Sequence, residues 1–132
     1  MKSRIAIVLV VALTLGVGAI CADSHERMVL IWKCQLNDGK TIDDVQAANG
    51  KWVKHVNAAI EEGEIRSYVL TTVVGDQGTF LYVDSFPDGM AWLAEREAMQ
   101  TEAGRALEAE LNGAATCSHS SLYDSEQSLP AD

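Results

Sequence analysis

Apolar and polar positions alternate along the chain in a way that predicts strand, helix, strand, strand, helix, strand. Met28 to Leu36 is apolar at nearly every position before Lys33. Met28, Leu30, Trp32, Cys34 and Leu36 fall on one side of such a strand, and Val29 and Ile31 on the other. A strand apolar on both faces belongs in the middle of a covered sheet. Asn37-Asp38-Gly39 is a turn signal. Thr41 then places a hydroxyl to cap a helix that carries Asp43 and Asp44 in its first turn. Ile42, Val45, Ala48, Trp52, Val56 and Ile60 recur at helical spacing, with Lys51, Lys54, Ala58 and Glu62 on the far side. The period stays in phase across Asn49-Gly50, so one helix is expected, ending near Gly63.

Ser67 to Val74 and Thr79 to Phe86 are rich in Val, Thr, Tyr and Phe, and Gly75-Asp76-Gln77-Gly78 between them reads as a hairpin turn. Pro87-Asp88-Gly89 opens a second helical segment that runs to about Asn112-Gly113, with Met90, Leu93, Met99, Leu107 and Leu111 as its apolar positions. Thr101 and Gly104 suggest a break or bend partway along it. Thr116 to Tyr123 alternates as a last strand, and Asp124 to Asp132 is expected to be a loose polar tail.

This order is the split β-α-β arrangement of an α+β, ferredoxin-like domain. It implies βαββαβ connectivity, a four-stranded antiparallel sheet, and helices on one face only. The first strand is expected between the third and the fourth. The uncovered face of the sheet must meet water, a ligand or a second subunit.

The leader changes the compartment. Lys2 and Arg4 precede an apolar run from Ile5 to about Ile20, and Ala19-Ile20-Cys21-Ala22 offers small residues for cleavage. Residues 1–22 therefore read as a secretory signal peptide and 23–123 as a single domain, placing the product in the periplasm or outside the cell. The competing readings are a retained anchor or an acylated Cys21, the latter disfavoured by the bulk of Ile20. Loss of Lys2 and Arg4 would take the net charge from −9 to about −11. Such acidity disfavours nucleic acid and anionic lipid as partners, and keeps a small exported domain soluble. After cleavage no membrane partner is expected.

In an antiparallel pair of first and last strands, Cys34 and Cys117 come side by side. An oxidising compartment then favours a Cys34–Cys117 disulfide over two buried thiols. Stepping outward from that bridge sets Trp32 opposite His119, Leu30 opposite Ser121 and Met28 opposite Tyr123.

That register suggests a candidate cleft. Thr71, Tyr82 and Asp84 share a face of the hairpin, so Trp32, Tyr82, Asp84 and His119 would line one shallow depression. Trp32, Tyr82 and His119 could hold an aromatic ligand, with His119, Tyr82 and Asp84 as catalytic candidates for acid–base work. The plainer reading makes His119 a hydrogen-bonded strand residue and the aromatics core. Cleavage after Ala22 would expose Asp23-Ser24-His25, whose amine, backbone amides and His25 imidazole could wrap Cu(II) or Ni(II). A frayed terminus is the plainer account. His55, beside Lys51 and Lys54, reads as solvated. Asn49 faces the apolar side as a ligand contact or a kink residue, and Trp52 and Trp92 read as core or rim. No phosphate-binding glycine loop, nucleophile elbow or Cys/His cluster is present in the sequence, so no cofactor is expected.

The element order, the size and the two-faced first strand, over about Arg27 to Tyr123, resemble the dimeric α/β-barrel superfamily. That resemblance implies subunits paired sheet to sheet. It embraces small monooxygenases, cyclases, haem-degrading enzymes and non-enzymatic members. The haem-degrading members use a helix-borne histidine in the second half, and Pro87 to Gly113 contains none. Two readings follow. One is an exported homodimeric binding or interaction module. The other is a small cofactor-free enzyme, monooxygenase- or cyclase-like, acting on an apolar or aromatic substrate in a pocket on the sheet.

Overall fold

The structure, a computed structural model, describes residues 26–128, 130 and 131. The expected signal segment, Cys21 and His25 lie outside the described residues. Seven elements follow one another: β1 (Arg27–Leu36), α1 (Ile42–Asn57), β2 (Arg66–Thr71), β3 (Phe80–Phe86), α2 (Gly89–Met99), α3 (Glu102–Ala114) and β4 (Ala115–Ser125). They build one four-stranded antiparallel sheet in the order β2-β3-β1-β4. This is the expected ferredoxin-like α+β arrangement, with β1 between the third and fourth strands and its second helical segment broken in two.

The helix boundaries follow local chemistry. Thr41 and Asp44 form a reciprocal capping box at the start of α1. The helix ends at Asn57, earlier than the Gly63 expected from its period, because the Asn57 amide turns back on the chain. It donates to the carbonyls of Val53 and Ile65, both at 2.9 Å, and its oxygen accepts from the Ile65 N–H at 2.8 Å. That clasp delivers Ile65, which has no exposed surface, into the core at the foot of β2. α2 stops at Met99, and Thr101 caps α3 by accepting from the Gly104 N–H at 3.0 Å. Gly104 has to be glycine: a Cβ there would lie 2.3 Å from the Ala98 carbonyl oxygen. The residue thus lets α3 start hard against the end of α2. The hairpin strands are shorter than expected, since β2 ends at Thr71 and leaves Val73 and Val74 exposed in the turn.

Pleating sorts the sheet into two faces. Cys34, Phe80, Tyr82 and Phe86 are buried under the helices, with Val45, Trp52 and Val56 of α1 packed over them. Trp92 is half-buried and packs on the same core. On the opposite face, Tyr68, Val83, Ile31 and Ser121 stand in one row across the four strands, and Leu70, Leu81, Lys33 and His119 in the next. Among the described residues nothing covers that face. Tyr68 and Leu70 are about half exposed there.

Cys34 and Cys117 form a disulfide across β1 and β4, 83 residues apart in sequence. The register beyond it departs from expectation. Cys34 faces Cys117, but Lys33 faces His119, because Ser118 is an extra residue bulged out of β4. Trp32 therefore pairs with Ser120, Leu30 with Leu122 and Met28 with Asp124, each one position away from the register expected.

Candidate functional site

A cavity of about 230 Å³ lies between the sheet and the helices. Its floor is the helix-facing side of β1 and β3, namely Leu30, Trp32, Tyr82 and Asp84. α1 contributes Asn49 and Trp52, one turn apart on its buried face. α2 adds Glu95 and Met99, and α3 adds Leu111. Exposed Arg96, Gln100 and Glu108 stand at the rim. The break between α2 and α3 sits at this rim. An apolar cavity of about 150 Å³ is enough to take up benzene, so this one has room for a one- or two-ring molecule.

The cavity holds more polar chemistry than a core gap needs. Asp84 is 6 % exposed. Its Oδ1 accepts from the Ser67 hydroxyl at 2.5 Å, and Ser67 in turn accepts from the Asn49 amide at 2.9 Å. No cation pairs with Asp84 among the described residues. Burial pushes its carboxyl up to about 7; the Ser67 hydrogen bond opposes that rise and the nearby Glu95 adds to it. Glu95 is equally buried, and loss of water raises its carboxyl too, against the Arg96 charge and the Trp52 indole. Its Oε2 has no hydrogen-bond partner among the described residues, and neither has the Tyr82 hydroxyl. Burial and the Asp84 charge push that phenol up to about 12. Phe80 steadies the Tyr82 ring edge-on, with ring centres 5.2 Å apart.

The sequence-predicted cleft is thus re-formed rather than reproduced. Trp32, Tyr82 and Asp84 do come together, but on the helix-covered face, since they share the pleat of Cys34 and Phe80. His119 leaves the group. The bulge at Ser118 turns it to the open face beside Lys33, where it is exposed and its Nδ1 lies 2.9 Å from the Ser118 hydroxyl. Thr71 shares the helix-facing pleat with Phe80 but lies off the cavity, at the exposed end of β2. His55, expected in solvent, is half-buried, with Nε2 3.1 Å from the Ala98 carbonyl, and ties α1 to the end of α2. Asn49 is a buried hydrogen-bond donor and the helix runs through it. Glu95 escaped the sequence reading, although its place between Ala91 and Ala98 on the buried stripe of α2 was the available signal. Among the described residues no group of His, Cys, Asp and Glu is placed to hold a metal ion.

No protein-family model matches the sequence, and no curated protein is significantly similar to it. Solved structures do share its fold. SnoaB from Streptomyces nogalater, a cofactor-independent oxygenase, superposes with a TM-score of 0.59 at 12 % identity, over 80 % of this chain and 99 % of its own. A NIPSNAP family protein of unknown function from Agrobacterium tumefaciens gives 0.58 at 10 % identity, over 80 % and 94 %. A candidate antibiotic biosynthesis monooxygenase from Caulobacter crescentus gives 0.53 at 9 % identity, over 80 % and 93 %. At these identities the likeness speaks for the fold alone. The chain shares the ferredoxin-like α+β fold of these structures.

Proposed function

We propose that this protein is an exported, homodimeric, cofactor-free enzyme that holds a small aromatic molecule between its sheet and helices and moves a proton at Asp84. The observation that carries the reading is Asp84 itself. It is a buried carboxyl in an aromatic-walled cavity, poised near neutrality, with a hydrogen bond to one oxygen only among the described residues. A group so tuned can accept or return a proton at the pH where the protein works. Ser67 and Asn49 fix its orientation, and the indoles of Trp32 and Trp52 supply flat apolar walls. The open sheet face, with Tyr68, Leu70 and Tyr123 exposed beside Val29, Ile31, Leu81 and Val83, supports pairing with a second copy. The disulfide supports an oxidising compartment. Among the described residues no helix is long and apolar enough to cross a membrane.

The test uses 5-nitrobenzisoxazole, a neutral two-ring molecule that reports on any base held near its ring. The base removes the ring C–H proton, the electron pair forms the nitrile, and the N–O bond breaks to give a coloured phenolate. The reading expects saturable turnover that rises with pH through about 7 and falls about 100-fold or more in Asp84→Asn. Saturable binding without turnover dependent on Asp84 would leave the protein a binding module, the second reading, which the apolar open face favours. No binding at all would overturn the pocket.

A further inference from the structure

We propose that the cavity selects a small aromatic amine bound as its ammonium ion, with Glu95 and Asp84 as counter-charges and the Trp32, Trp52 and Tyr82 rings as walls. This deepens the pocket reading above and rests on it. Three observations favour a cation over a neutral or anionic guest. The first is the unmet hydrogen-bonding capacity. Glu95 is 6 % exposed and Tyr82 is 7 % exposed, and both present cavity-lining oxygens without a partner among the described residues. A carboxylate only accepts, and a phenol oxygen also accepts, whereas an ammonium brings up to three donors. An alcohol brings one donor, and a carboxylate guest brings none.

The second observation is the balance of charge. Glu95 raises the cost of ionising Asp84, and Glu108 that of ionising Glu95, against the Arg96 charge at the rim; no salt bridge among the described residues reaches either carboxyl. The titratable groups facing them are Tyr82 from β3, Arg96 from α2 and Glu108 from α3. Arg96 is exposed at the rim, so the inner end of the cavity remains acidic. An ammonium between the two carboxyls would offset one negative charge and ease the ionisation of both, and the chain's net charge of −9 draws cations toward it. The third observation is the walls. Two indoles and a phenol line the cavity, and electron-rich aromatic faces attract a desolvated cation.

The charge also predicts a signature of binding. Burial raises both carboxyls, Asp84 to about 7, so Asp84 still carries part of its proton near neutral pH, and an arriving cation favours the ionised form. Binding of an amine should therefore expel protons, whereas binding of a neutral analogue should not.

Calorimetric titration of the full mature protein near neutral pH decides the matter with phenethylamine, phenethyl alcohol and phenylacetate, each in two buffers of different ionisation enthalpy. The expected result is that the amine binds about tenfold or more tightly than the alcohol, with net proton release, and that phenylacetate binds weakest. Glu95→Gln should erase the preference while alcohol binding persists, which also shows that the variant folds. Should that variant not fold, Asp84→Asn serves in the same comparison. Alcohol binding equal to amine binding would overturn the amine assignment and leave the pocket standing. Phenylacetate binding tightest would hand the cavity to anions through Arg96 and overturn it as well. If no probe binds, both the amine and the pocket readings fall.

Discussion

The Ser67 hydroxyl of β2 donates to Asp84 Oδ1 of β3 at 2.5 Å, two strand neighbours facing the helices rather than solvent. One acceptor oxygen is thereby fixed, and the carboxyl is buried with no cation paired to it among the described residues. Such a group opposes folding whenever it is ionised.

That opposition has a sign and a window. The unfolded chain loses the Asp84 proton near its ordinary value of 3.8, while the folded protein keeps it to about 7. Between about pH 4 and pH 7 the native state holds a proton that the unfolded state has released, so stability falls as pH rises. Above about pH 7 the whole cost is present, on the order of 4 kcal/mol. Glu95, raised in the same direction, adds to the trend. Asp84→Asn keeps an acceptor for Ser67 and removes the charge. Urea unfolding should show the variant more stable than the parent by about 1–3 kcal/mol above pH 7, and the gap closing toward pH 4. A pH profile unchanged by the substitution would refute the assignment.

The Cys34–Cys117 bridge closes a loop across most of the domain, so its removal releases entropy to the unfolded chain. A Cys34→Ser/Cys117→Ser double variant should lose about 2–4 kcal/mol in denaturant unfolding. Cys34 is buried against Val45 and Phe80, so part of that loss is packing. Thiol titration of the unreduced, unfolded parent should find neither Cys34 nor Cys117 free.

How far this was legible in the sequence divides along physical lines. Alternation and helical period located every strand and helix, because pleat and turn impose those periods whatever the tertiary context. The Cys34–Cys117 pairing followed from topology. The bulge at Ser118 did not, since nothing in Thr116-Cys117-Ser118-His119 distinguishes an extra residue from an ordinary strand. One unseen residue moved His119 to the opposite face and removed it from the candidate cleft. Trp32, Tyr82 and Asp84 lie on one face because they share parity with Cys34 and Phe80. The end of α1 was missed because it depends on the Asn57 clasp to Ile65, a contact between residues in different elements. Glu95 looked like a surface acid on a weakly patterned helix, and only the packing of α2 on the sheet shows that it is buried.

Tyr68 sits on the open face in a row with Val83, Ile31 and Ser121, and its half-exposed side chain supports little of the subunit core. Tyr68→Glu should leave the unfolding of a subunit nearly unchanged while weakening the pairing of two copies by about tenfold or more, as one uncompensated charge in an apolar interface requires. Sedimentation equilibrium reads the difference. A parent that is monomeric at every concentration would contradict pairing through this face.

The pH at which Asp84 titrates in the folded protein is the most direct test of its role. Carbon-13 carboxyl NMR of the mature protein, assigned by comparison with Asp84→Asn, reads it directly. The account predicts a resonance that moves at about pH 7. A resonance that finishes its titration near pH 4, where an ordinary aspartate does, would contradict the claim that this cavity was built around a carboxyl held ready to exchange its proton.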